Sequence, residues 1–185
     1  GQIPAAADAS LLDATSVDVG AKASTAPGSP AGWLAALERY GTKSPAEVFA
    51  PAIEYAEQGV PLTVKNAMFY QSANERVHGV ARETFFSPGA PPAATIIAQP
   101  KLAATYRALV QGGAEAFYHG EIGKRLVEAV QQAGGFLTEQ DLANVSVRLA
   151  EPSISTYPGY ELRTASWPMT SYETQVALNI LEGVD

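Results

Sequence analysis

The chain contains no cysteine, and that absence removes a disulfide framework, a thiolate nucleophile and a cysteine-based zinc site together. Histidine is almost as scarce. His78 and His119 are the only two in 185 residues, neither reads as having a second histidine or a carboxylate at metal-ligand spacing, and both are expected to be structural or surface residues. Neither a metal nor a cofactor is expected. Lys and Arg number 12 against 19 Asp and Glu, a formal net charge of −7, and the cations form no run. Recognition of a phosphate backbone needs clustered cations, so no nucleic-acid partner is expected. No apolar stretch approaches the roughly 18 residues of a membrane span, and no charged-then-apolar leader stands at Gly1. The opening GQIPAAAD, without an initiator Met, is expected of a processed product or a piece of a longer precursor, which leaves the compartment open. A Gly-x-Ser-x-Gly elbow, a phosphate-cradling Gly-x-x-x-x-Gly-Lys loop and a dinucleotide fingerprint are also missing.

What the chain does have is an ordinary globular balance, 46% hydrophobic and 17% charged, and clear helix punctuation. In Ala26 to Gly59, Pro27 and Gly28 turn the backbone and Pro30 suits a first helical position. Trp33, Leu34, Leu37 and Tyr40 then recur on one face until Gly41 stops the helix. Ser44 and Glu47 form a capping box with Pro45 at the first helical position, and Val48, Phe49, Ala52, Ile53 and Ala56 make a wide apolar stripe ending at Gly59. Pro51 lies inside that run and predicts a kink or break.

Elsewhere the signals vary in strength. Residues 1 to 28 read as a connecting segment, with a turn of helix near Ser10 to Ala14 and a short strand over Ala21 to Thr25. Thr63 caps a helix through about Arg76 with Val64, Ala67, Met68, Gln71 and Ser72 inward, whereas three prolines and a glycine in Glu83 to Thr95 predict a loop or hairpin. Ile96 and Ile97 add a short strand. Pro100 opens a helix with Leu102, Tyr106, Leu109 and Val110 inward, ending at Gly112 and Gly113, and Phe117 and Tyr118 anchor the next turn. Glu121 to Gln132 carries Ile122, Leu126, Ala129 and Val130 on one stripe, and Thr138 with Asp141 caps a short helix in which Leu142 packs. From Val145 the period becomes two: Val145, Val147 and Leu149 alternate, then Ile154 and Thr156, then Tyr160, Leu162 and Thr164 around a Pro158-Gly159 turn. A last helix starts at Thr170 or Ser171, with Val176, Ala177, Ile180 and Leu181 inward. The fold expected is mainly α with a small β component, divided into a connecting segment over 1 to 28, a helical region over 29 to 144, and a strand pair with a terminal helix over 145 to 185.

Candidate chemistry is thin, and each candidate has a plain structural reading beside it. Ser29 in Gly28-Ser29-Pro30 is the nearest approach to an exposed nucleophile, and it reads as a helix cap. Asp13 with Asp18, or Glu139 with Asp141, are spaced for shared acid and base work, but on an acidic chain they read as solvated carboxylates.

The blocks PG-x-x-AGW-x-x-A-x-x-RYG and SPAEVFAPAI-x-x-AEQG, between Pro27 and Gly59, resemble the corresponding stretch of the large subunit of γ-glutamyltranspeptidases, which are N-terminal nucleophile hydrolases. Gly89-Ala90-Pro91, Ile97 to Ala103, Gly113 to Gly120, Gly134 to Leu142, Tyr157 to Leu162 and Leu178 to Gly183 keep that family's order and approximate spacing, so the resemblance covers most of the chain. It implies a complete enzyme with a four-layer αββα sandwich, of which this chain supplies the helical part of the large subunit. The implied activity is cleavage of γ-glutamyl amides such as glutathione, with transfer of the acyl group to water or an amino acid. The family's nucleophile is a threonine freed at the start of the small subunit, whose own amine serves as base. No threonine here is followed by the Thr-His-x-Ser sequence typical of that cleavage point, and the family's binding aspartate and paired serines also belong to the small subunit. No catalytic or substrate-binding residue is therefore carried over, and the implied partner is the small subunit or the rest of one precursor.

By the same resemblance, the arginine that holds the substrate's α-carboxylate falls just before Gly1, and a periplasmic or secreted location is implied. One block departs from the pattern. Where the family has Pro-Pro-Pro-Ser-Ser-Gly-Gly, this chain reads Ser166-Trp167-Pro168-Met169-Thr170-Ser171-Tyr172-Glu173-Thr174, with side chains where backbone came close. Trp167, Met169 and Tyr172 there read either as lining an acyl pocket or as core packing. Two alternatives to the γ-glutamyl reading stand: an acylase of glutaryl or cephalosporin-like amides, and a helical scaffold without an enzymatic partner.

Overall fold

A computed structural model describes residues 2–12, 19–86, 88–165 and 171–183. Two compact units result, Gly1–Ser146 and Val147–Asp185. The first carries two 3-10 turns, Ala9–Leu11 and Ala21–Ala23, then α1 (Ser29–Tyr40), α2 (Pro45–Gln58), β1 (Val60–Pro61), α3 (Val64–Ala73), α4 (Gly79–Phe85), β2 (Ile96–Ile97), α5 (Pro100–Tyr118), α6 (Glu121–Gln132) and α7 (Glu139–Ala143). The second carries β3 (Ser153–Tyr157), β4 (Tyr160–Thr164) and α8 (Ser171–Glu182).

Side-chain caps set the starts of α2, α3 and α7. The Ser44 hydroxyl accepts from Glu47 N–H while the Glu47 carboxylate accepts from Ser44 N–H, and Thr138 and Asp141 repeat the arrangement at α7. Thr63 caps α3 through Asn66 N–H, and Pro100 sits in the first turn of α5. The α5 run is interrupted at Gly113, whose φ of 62° and ψ of −154° only glycine adopts without strain, so the sequence's stop at Gly112 and Gly113 survives as a kink between two helical segments.

The core of the first unit gathers Ala26, Tyr118, Val127, Leu137 and Leu142, with Phe117, Leu126 and Val130 packed against them. A second contact zone joins α2 to α5, where the Phe49 and Tyr106 rings stand 5.6 Å apart and Arg107 meets Glu57 at 2.7 Å. The two short strands pair antiparallel, Val60 opposite Ile97 and Pro61 opposite Ile96. In the second unit β3 and β4 form a hairpin closed by Pro158-Gly159, as the alternation predicts, and Gln175 of α8 is buried beside it.

Several expectations are corrected. Pro51 does not break α2: its ring lies on the exposed side, so water reaches the carbonyl that loses its partner, while Phe49 and Ala56 hold the helix to its neighbours. Glu83, Thr84 and Phe85 belong to α4, because the loop-forming prolines and glycine all follow them. Ala21–Ala23 is a 3-10 turn, followed by extended backbone at Ser24 and the Gln2–Ala26 bridge. Val145, Val147 and Leu149 lie in no strand, since among the described residues no partner strand meets their backbone. In α3 only Ala67 of the expected inner residues is buried, Val64 and Met68 being exposed. On α8 the buried residue is Gln175, and Val176, Ile180 and Leu181 face outward.

Candidate functional site

Three polar positions and two apolar grooves stand out among the described residues, the second groove being lined by Phe69, Tyr70, Val77, Phe85 and Phe86. Asp141 is the first. As the third residue of α7 it is buried, and one carboxylate oxygen accepts from Thr138 N–H at 2.9 Å and the Thr138 hydroxyl at 2.6 Å. Its other oxygen accepts from Ala5 N–H at 2.8 Å, across 136 residues of chain. The expectation of a solvated Glu139–Asp141 pair is thereby corrected: Glu139 is exposed while Asp141 spends both oxygens on internal donors. Burial alone pushes this carboxyl up, but the bonds from Thr138 and Ala5 outweigh it and hold it below the ordinary aspartate value.

A depressed folded-state value means that the stability Asp141 contributes is present above the unfolded carboxyl value of about 3.9 and fades as pH falls through the lower folded value. Asp141→Asn is therefore expected to be less stable than the parent at neutral pH, with the difference shrinking toward about pH 2. Urea titrations at both pH values check this, and a gap independent of pH contradicts it.

Tyr118, at the end of α5, is the second position. Its hydroxyl donates to Pro27 O at 2.6 Å and accepts from Ala31 N–H at 3.2 Å, which ties the entry of α1 to the core. Burial raises the phenol above its ordinary value, partly offset by the Ala31 N–H. The third is Gln175, whose amide accepts from the Ser153 hydroxyl at 2.7 Å and donates to Ser153 O at 2.9 Å, pinning α8 to the hairpin. All three are structural ties, because their donors and acceptors are used within the fold. The capping box marks Asp141 and the turn after Gly113 marks Tyr118 as an anchor, but the long-range bonds of Asp141, Tyr118 and Gln175 leave no local signal.

The first groove lies between α1, α2 and α5, with Trp33, Leu37, Tyr40, Val48, Phe49 and Tyr106 on its walls and a cavity volume of about 580 Å³. Trp33, Leu37 and Tyr40 belong to the stripe that recurs on one face of α1, and that face is largely open, Trp33 being 50% and Tyr40 71% exposed.

The remaining candidates do not assemble a reaction centre. His78 stands exposed before α4, and His119 ends α5 with its ring 3.9 Å from the Glu115 carboxylate, a partner at i−4 that the spacing argument overlooked. Ser29 is the first residue of α1, and Gly28, not Ser29, occupies the cap position. Tyr172 is on α8 and 44% exposed. Asp13, Asp18, Trp167 and Met169 lie outside the described residues. Among the described residues no cluster of three His, Asp or Glu forms a metal site, and no helix is long and apolar enough to cross a membrane.

The family model described as Gamma-glutamyltranspeptidase matches residues 1–185. Acylase ACY 1 proenzyme of Pseudomonas sp. (strain SE83) is 36% identical over 173 residues, covering 90% of this chain and 31% of that protein. Glutathione hydrolase proenzyme of Bacillus subtilis (strain 168) is 33% identical over 144 residues, 77% of this chain and 24% of that protein. The chain thus spans between 24% and 31% of the length of these two curated relatives. The crystal structure of Helicobacter pylori gamma-glutamyltranspeptidase superposes with a TM-score of 0.91 at 26% identity, covering 100% of this chain and 56% of that chain.

Proposed function

The chain belongs to the γ-glutamyltranspeptidase family, and from that premise we propose that it is the helical part of the large subunit of an enzyme that cleaves γ-glutamyl amides and passes the acyl group to water or an amino acid. Its own role is to brace the reactive part and shape its surroundings, with the nucleophile on another part of the same precursor. The observation that carries this reading is the end-to-end family match of a chain that spans so little of its curated relatives. The side chains agree with it. Asp141, Tyr118 and Gln175 are committed to internal hydrogen bonds, while apolar residues such as Trp33, Val48, Ile180 and Leu181 stand exposed in the manner of faces meant for cover.

In this reading the chemistry is that of a threonine hydroxyl attacking the amide carbonyl with the threonine's own amine as base, and none of it is asked of residues 1 to 185. Produced alone, these residues are expected to release no product from a γ-glutamyl anilide, whereas the full-length precursor turns it over. Turnover by the isolated residues defeats the proposal.

An acylase acting on glutaryl or cephalosporin-like amides is the second reading. It is favoured by the 36% identity to Acylase ACY 1 proenzyme and by the changed Trp167 to Thr174 block. Rates of the full-length protein on glutaryl and γ-glutamyl anilides separate the two. A clear γ-glutamyl preference removes the acylase reading.

A further inference from the structure

We propose that residues 2 to 8 form a strap latched by Asp141, able to open at the latch while the helical body beneath stays folded. The strap is attached at a few discrete points. Gln2 exchanges two backbone bonds with Ala26, at 3.2 and 2.9 Å, where Ala26 is itself fully buried in the core. Pro4 is buried, and one residue later Ala5 N–H reaches the carboxylate of Asp141 at 2.8 Å. Between these points the strap is open to water: Gln2, Ala5, Ala6 and Asp8 are exposed, and Ile3 is 77% exposed.

The latch is separable because the carboxylate divides its work. One oxygen serves the Thr138 cap at the start of α7, and the other is left for Ala5. Losing the Ala5 bond therefore leaves the cap intact, and the free energy of opening at the latch is set by the strap's own few contacts there. Asparagine is a poor replacement. Its amide offers one acceptor oxygen, enough for the cap or the latch but not both, and its NH₂ meets another donor at the remaining position.

The test removes the same hydrogen bond from its two ends in the full-length protein. Asp141→Asn alters the acceptor. Ala5→Pro deletes the donor and leaves the carboxylate untouched. Hydrogen exchange read by mass spectrometry is expected to quicken in the peptide covering residues 2 to 12 by about tenfold or more in both variants, the scale of one lost bond to a charged group. Peptides from α5 and α6 are expected to keep parental rates. Thr138→Ala, which removes the cap and spares the Ala5 bond, is expected to quicken exchange in α7 with a much smaller change in the strap. Parental exchange in the strap of both latch variants overturns the proposal, and so does a parallel rise in α5 and α6, which makes the strap an inseparable part of the core. If the asparagine variant fails to fold, Ala5→Pro decides alone.

Discussion

Leu142→Ala is expected to lower the unfolding free energy by about 3 kcal/mol, within the range of roughly 2–5 kcal/mol for truncating a fully buried leucine. Leu142 is 1% exposed and sits in the cluster with Ala26, Tyr118, Val127 and Leu137. Truncation removes the transfer free energy of three carbons and leaves a cavity, and the cavity's cost depends on whether its walls can move inward. Here they are held. The Tyr118 hydroxyl is bonded to Pro27 O and Ala31 N–H, so its ring cannot tilt into the gap without breaking both bonds. Val127 is β-branched within α6 and has little rotamer freedom. Urea denaturation of the variant checks the expectation. A loss under about 1 kcal/mol means that the walls do collapse, against the restraint assigned to Tyr118.

Gly123→Ala is expected to destabilise by about 1–3 kcal/mol, as overpacking does, although alanine ordinarily favours a helix over glycine by about 1 kcal/mol. The reversal comes from what surrounds the third residue of α6. A methyl group there meets Phe117 O at 2.7 Å, Tyr118 O at 3.0 Å and the Leu142 Cδ1 at 3.1 Å. The first two are backbone carbonyls at the end of α5 and cannot swing aside, so the α5–α6 junction has to open. Leu142 can yield only within a full core. In the double variant Gly123→Ala/Leu142→Ala the leucine contact is gone and the carbonyl contacts remain, so the combined loss is expected to fall short of the sum by about 0.5–1 kcal/mol. Strict additivity means that the carbonyls carry the whole clash. A stabilised single variant means that the helices separate freely, which refutes the close approach.

Legibility in the sequence followed the range of the interaction. Ser44 with Glu47, Thr138 with Asp141, Thr63, Pro100 and the glycine break at Gly113 are decided within four residues of chain, and the helices they bound lie where the pattern puts them, apart from frayed ends such as Ala73 for Arg76. The Tyr157-Pro158-Gly159-Tyr160 hairpin is equally local. The α4 helix leaves little signal because the prolines downstream of it dominate the window, and β1 because its second residue is Pro61, which argues against a strand. Asp141 shows the limit most clearly. Its capping role is written four residues wide, but its burial and its bond to Ala5 depend on the first stretch of chain returning to α7.

By itself, then, the amino-acid order determined the mainly helical class, most element boundaries and, through its blocks, the family to which the chain belongs. Those follow from capping, backbone torsions and side-chain spacing, which act over one or two turns. Tertiary structure alone decided which side of each stripe is covered: Ala26 and Gln175 are buried although nothing in their neighbourhoods marks them, while Trp33, Val64 and Ile180 stand open despite helical spacing. Periodicity states that a face is apolar, and burial requires a second surface. Which surface meets which is settled by packing among residues far apart in the chain.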